Sequence, residues 1–255
     1  VNGPGEPGEP GAAPGGEGIL PGLRALRDAD PEFYAACAEL ADAPGRHGAL
    51  DARTRALVAL AVDAAVTHLH EPGIRRHVRG ALEHGATREE IMETFQLVAV
   101  LGIHAASTGF PLLSELPAPP GGDEAGQEGG ARRAELKAEF VRRRGYWDAA
   151  WEDVLRHAPG FFAAYLHFSA VPWSRGVLAP KVKELIYIAI DASATHLFTA
   201  GLKVHIANAV RHGATPAEIS CVLQIASTIG IQTLEVGVPI LLDELDELDR
   251  REGTG

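Results

Sequence analysis

The stretch PKVKELIYIAIDASATHL, residues 180–197, is apolar around most of a helical circumference. A helix apolar on nearly every side belongs in a core, and Pro180 stands at the first helical position, where proline is tolerated. A second helix is predicted from about Gly201 to His212. Gly213 follows it and can take the left-handed conformation that closes helices. His212 in the last turn suits the negative end of the helix dipole. Thr215-Pro216-Ala217-Glu218 then reads as a capping box, with threonine as the cap and glutamate at the third position. EISCVLQIASTIGIQTLEVGVPILLDEL, residues 218–245, predicts a further, largely apolar helix. Strict apolar/polar alternation is scarce and Ala and Leu dominate, so the expected fold class is all-α.

The same pattern occurs 128 positions earlier. VTHLHEPGIRRHVRGALEHGAT (66–87) aligns without gaps to ATHLFTAGLKVHIANAVRHGAT (194–215), with 10 of 22 residues identical. The register extends outward: Pro31, Phe33, Gly48 and Leu50 match Pro159, Phe161, Gly176 and Leu178, and Gln96, Gly102, Gly109 and Pro111 match Gln224, Gly230, Gly237 and Pro239. Residues 24–116 and 152–244 are therefore two copies of one unit, and a duplicated bundle with pseudo-two-fold symmetry is expected. The predicted organisation is a disordered Gly/Pro-rich tail over 1–18, a first repeat over 19–116, a polar linker over 117–133 and a second repeat over 134–248. AELKAEFVRRRGYWDAAWEDVLRHAP (134–159) reads as one or two helices leading into the second copy.

Composition narrows the function. Twenty-three basic against 34 acidic residues give a net charge of −11, which points away from nucleic acid. Cys37 and Cys221 form no metal or disulfide spacing and read as buried thiols of a reducing compartment. The first residues lack the basic start and apolar core of a secretion signal, and no apolar run looks clean enough for a membrane span. A cytoplasmic protein with a small-molecule partner is expected. No Gly-rich phosphate loop or nucleotide fingerprint is present, so no cofactor is expected.

Helix punctuation accounts for His84 and His212 but not for every polar residue. Asp63 and Asp191 sit inside the most apolar helix of each copy. Glu184, Asp191 and Thr195 are spaced by 7 and 4 and share one helical face. Buried carboxylates require partners. His68 and His196 are expected at the end of that helix, and His77 and His205 near the middle of the next. A carboxylate–imidazole pair at a pocket can hold or deliver a proton; the competing reading is that these groups only satisfy backbone at a helix junction. Gln96 and Gln224 read as buried hydrogen-bonders between copies or subunits. A metal reading uses His68, His70, His77 and His104, but copy two has Phe198 and Gln232 where copy one has His70 and His104.

The run Glu184-Leu-Ile-Tyr-Ile-Ala-Ile, then His205, then Gly213-Ala-Thr-x-x-Glu218-Ile219, resembles the carboxymuconolactone decarboxylase/AhpD-like superfamily. LVALAV (57–62), His77 and GATREEI (85–91) carry the same resemblance in copy one. It implies an all-helical fold assembling as trimers or hexamers of a small unit, hence a homotrimer for a fused pair. The activities it implies are cofactor-free decarboxylation of lactone carboxylates or thiol peroxidase chemistry. The peroxidase pattern is Cys-x-x-Cys with a His four residues on. Its thiol positions fall here on Phe198 and Gly201, and on His70 and Gly73, so that chemistry has no nucleophile. His205 and His77 match the His. Glu184 matches the upstream relay Glu, allowing a two-residue insertion, whereas copy one has Ala56. The resemblance therefore implies a lyase or isomerase with His205 as proton donor held by Glu184, His196 polarising a substrate oxygen and Asp191 orienting His196. His77 and His68 are the equivalents in the first copy.

Overall fold

The computed structural model describes residues 23–117 and 127–253, and those residues contain helices and no strand. The predicted tail and residues 118–126 of the predicted linker lie outside the described residues. Contacts divide the chain into two compact units, 43–229 and 23–42 with 230–253, which do not follow the repeat boundaries.

The larger unit holds the centre of both repeats. In copy one these are α3 (Ala52–Ala64), α4 (Glu71–Glu83) and α5 (Arg88–Val98). Their counterparts are, in chain order, α10 (Pro180–Ala192), α11 (Thr199–Arg211) and α12 (Pro216–Ser227). The starts are offset by the same 128 residues as the sequence. Both capping boxes form: Thr87 and Thr215 each accept from the glutamate N–H at the third position, and Glu90 and Glu218 return the bond. Gly85 and Gly213 take φ of 82° and 86°, as expected for helix-closing glycines. Helices α3 and α10 pack together, burying Leu57, Val58, Leu60 and Ala61 against Leu185, Ile186 and Ile188. Thr67 Oγ1 lies 3.3 Å from its own counterpart, Thr195 Oγ1, which marks the pseudo-two-fold axis.

One ion pair ties the copies together asymmetrically. Lys183 Nζ on α10 is 2.7 Å from Glu93 Oε1 on α5, and both side chains are almost wholly buried. Glu93 Oε2 accepts from the N–H groups of Val177 and Leu178, while Lys183 donates to the Pro172 carbonyl. The equivalent positions in the other direction are Arg55 and Cys221. There Arg55 donates to the Leu50 carbonyl and the Cys221 thiol to the Pro44 carbonyl.

Helix α6 (His104–Ser114) closes the first copy, α7 (Gln127–Arg144) lies between the copies, and α8 (Ala150–His157) and α9 (Pro159–Arg175) lead into the second. Helix α7 begins inside the stretch read as linker: the strong helix formers from Ala131 onward outweigh Gly129 and Gly130. Phe140 of α7 sits edge-on to Trp147 at 5.4 Å and beside Trp151 and Phe162, forming a second, aromatic core.

In the smaller unit, α1 (Leu23–Ala29) packs on α2 (Pro31–Asp42) and on α13 (Gln232–Glu252), around Leu23, Leu26, Cys37 and Ile231. The helix predicted over 218–245 is interrupted by a tighter turn at Thr228–Ile231. Contrary to expectation, Arg88–Ser114 and Pro216–Glu252 are each long and apolar enough, by length and composition, to cross a bilayer, and only 28% of each apolar window is covered. Val236, Ile240, Leu241, Leu245 and Leu248 of α13 are exposed. Gln96 and Gln224 are exposed too, so they do not bridge the copies as buried hydrogen-bonders.

Candidate active site

Copy two brings Glu184 and His205 together. Glu184 lies on α10, 1% exposed, and His205 on α11; His205 Nδ1 is 2.6 Å from Glu184 Oε2. The other carboxylate oxygen, Oε1, accepts from Asn208 Nδ2 at 3.2 Å. Arg211 donates to Asn208 Oδ1, which turns the amide N–H2 toward Glu184. An ionised carboxylate only accepts, so the imidazole donates from Nδ1 and Nε2 is left for other chemistry. The Tyr187 ring stands 4.5 Å from the His205 ring.

Asp191, one helical face along from Glu184, is also buried, and its Oδ2 has no hydrogen-bond partner among the described residues. Burial, with the Glu184 charge adding, pushes its carboxyl up to about 8, so it is protonated at neutral pH. Gly201 makes room for it: a Cβ at 201 would meet Asp191 Oδ2 at 2.3 Å. Gly73 has the same relation to Asp63, at 2.0 Å. The two glycines at the peroxidase thiol positions thus have a packing reason.

His196 does not lie on α10. It sits in the turn after it, where Leu197 takes φ of 49°, as Leu69 does in copy one at 48°. The close partner of His196 is His104, at the start of α6: its Nδ1 lies 2.6 Å from His196 Nε2, and 3.9 Å from Asp191 Oδ1. Asp191 therefore approaches His104, itself stacked on Phe198 at 3.9 Å. Burial, helped by His196 and His205, lowers His104 to about 3, and burial also lowers His196. Both rings are neutral, one donating and one accepting.

Copy one is built differently. His77 Nε2 is 3.3 Å and His68 Nε2 3.8 Å from Asp63, while His70 Nδ1 accepts from the Gly73 N–H. Burial, with the charges of Arg76 and His70, lowers His77 to about 3. The four histidines of the metal reading are divided: His68 and His70 group with Asp63, and His104 with Asp191 and His196, the donor atoms of each group lying within 4.8 Å. Nitrogens sharing one tetrahedral zinc ion stand about 3.3 Å apart at the usual bond length. The 2.6 Å His104–His196 contact is instead a hydrogen-bond separation.

A cavity of about 70 Å³ opens beside these groups; His205, Asp191, His104, Phe198 and Gly201 line it from the repeats, while Glu184 and His196 are not among its lining residues. Arg144 at the end of α7, Tyr146 in the following loop and Trp151 on α8 line it as well. Tyr165 and Tyr187 complete its aromatic wall.

The comparisons with known proteins agree with this architecture. The carboxymuconolactone decarboxylase family model matches residues 31–115 and 159–238. The chain belongs to that family, carrying its unit twice. A crystal structure from Burkholderia xenovorans LB400, of a protein with the provisional name gamma-carboxymuconolactone decarboxylase subunit, is 46% identical. The match covers 90% of this chain and 92% of that one, with a TM-score of 0.82. No curated protein matches.

Proposed function

We propose that the copy-two cavity is the active site of a cofactor-free, decarboxylase-like lyase acting on a small unsaturated lactone or cyclic carboxylate. The observation that carries this reading is the 2.6 Å His205–Glu184 contact at the cavity wall. In the reaction, the bond between the ring and its carboxylate breaks and its electron pair passes into the conjugated system toward the lactone oxygen. His104, accepting at Nδ1 from His196 so that its Nε2 carries the proton, and the protonated Asp191 offer hydrogen bonds to that oxygen as charge develops. His205, as imidazolium balanced by Glu184, then gives its Nε2 proton to carbon and is reprotonated from solvent. Glu184 acts as the positioning residue and counter-charge. Copy one, with Ala56 in place of that glutamate, has a supporting role.

The same reading includes a homotrimer, in which the exposed apolar faces meet neighbouring subunits. Light scattering coupled to size exclusion tests it, and a monomeric mass rejects it. For the chemistry, gamma-carboxymuconolactone is the first compound to try, following the name of the Burkholderia protein. Carbon dioxide release and loss of lactone absorbance are the readouts. His205→Ala is expected to lower kcat by about 10²–10⁴, with Glu184→Gln lowering it less. Undiminished turnover in both variants rejects the mechanism, and a compound bound but never transformed makes the pocket a binding site.

A further inference from the structure

Arg144 ends α7, outside both stretches matched by the family model. Its guanidinium is permanently charged and lines the cavity. The guanidinium carbon lies 4.7 Å from the Trp173 ring, 5.7 Å from that of Tyr187 and 5.9 Å from that of Tyr146. One N–H reaches the Ser169 carbonyl at 3.5 Å, the Tyr146 and Tyr187 rings stand beside the guanidinium, and Nε has no partner among the described residues. No carboxylate among the described residues forms an ion pair with it. Asp148, the nearby acid of the cavity rim, is engaged by the Ala150 N–H.

Glu184 acts on this half-buried cation only at a distance, both its oxygens being engaged by His205 and Asn208, so the guanidinium has no direct anionic partner and can accept one. The hydroxyls sharpen the point. Tyr187 oxygen already receives the Trp173 indole N–H, at 3.3 Å. Its own proton is available to a further acceptor. Arg144 and Tyr187 therefore present donors to one cavity, with Tyr146 beside them and the His205 ring 4.5 Å from that of Tyr187.

We propose that Arg144, with Tyr146 and Tyr187, is the anion-recognition site of this cavity and binds a ligand carboxylate that is retained through the reaction. A departing carboxylate must lose its charge, so a charge-assisted grip on it would stabilise the ground state more than the transition state. The group held by Arg144 is thus a second one. The inter-repeat helices, by supplying Arg144, set specificity for an anionic ligand on a fold whose family-matched segments lack this residue. Retention of the carboxylate rests on the lyase reading; the anion site stands on its own geometry.

The test is a binding titration without turnover. Trp147, Trp151 and Trp173 are the chain's three tryptophans, so intrinsic fluorescence reports on this region. The probes are 2-furoate and its uncharged amide, furan-2-carboxamide, at low ionic strength. The folded wild type is expected to bind 2-furoate at least about tenfold more tightly than the amide. Arg144→Met should erase that preference, Arg144→Lys keep part of it, and Tyr146→Phe weaken 2-furoate alone by a few-fold. Circular dichroism confirms that each variant is folded; should Arg144→Met unfold, Arg144→Lys and Tyr146→Phe decide. No 2-furoate binding to wild type at millimolar concentration overturns the proposal. So do equal affinity for acid and amide, and unchanged preference in the folded variants. Loss of the lyase reading would leave these titrations as they are, so the two can fail separately.

Discussion

Replacing Lys183 by methionine removes one partner of the most deeply buried ion pair and leaves the other in place. Lys183 is 3% and Glu93 2% exposed, at 2.7 Å. Methionine fills a similar volume, so the change is mainly electrostatic. Glu93 keeps two backbone N–H groups but loses its counter-charge, and a broken buried pair costs about 3–5 kcal/mol. For a chain of this size that is an apparent Tm fall of roughly 6–20 °C. Glu93→Gln combined with Lys183→Met should recover most of it, because the site then holds no uncompensated charge. Because Lys183 adjoins Glu184, the single variant should also depress turnover through a displaced carboxylate. Urea denaturation at pH 7 measures both variants. A single variant within about 1 kcal/mol of wild type, or a double variant no better than the single, refutes the reasoning.

Asp191 sets a pH dependence. Its folded carboxyl titrates near 8 against about 3.9 in an unfolded chain, so the folded state holds the extra proton between those values. Stability from this group is greatest below the lower value and falls as pH rises to the upper one, by an amount of order 5 kcal/mol at most. Asp191→Asn should flatten that slope in chemical denaturation across pH 5–9, and an unchanged slope assigns it to other groups. Gly201→Ala should push the Asp191 carboxyl out of place, cutting turnover at least about tenfold with a stability loss of about 1–3 kcal/mol. Gly73→Ala should cost similar stability with little change in kcat, and equal kinetic losses would mean that copy one is catalytic too.

The repeat made much of this molecule readable. A fixed 128-residue offset located six helices, and the threonine–glutamate boxes and closing glycines located their ends, because those signals are local. The Glu184–His205 pair was legible from spacing and resemblance together. His104 was not legible as the partner of His196, since the two are 92 residues apart and the equivalent of His104 in copy two is Gln232. Arg144, Tyr146 and Trp151 belong to the unrepeated stretch, where no second copy singles them out. Tyr187 lay hidden in a helix apolar on all sides, where an aromatic reads as core. The bilayer-length helices were missed because polar residues such as Gln96, Gln232 and Glu235 interrupt the apolar runs, although the mean hydropathy stays high.

The Thr67–Thr195 contact records where two once-equivalent halves meet. In an assembly of separate identical units, any substitution strikes every site at once. Fusion removes that constraint: a change at residue 104 need not be mirrored at 232, nor one at 56 at 184. The two halves can then divide labour, one keeping the glutamate–histidine pair and the other lending it a histidine across the seam. The countable outcome is stoichiometry, one anionic ligand per chain where an unfused ancestor would take two per pair of units.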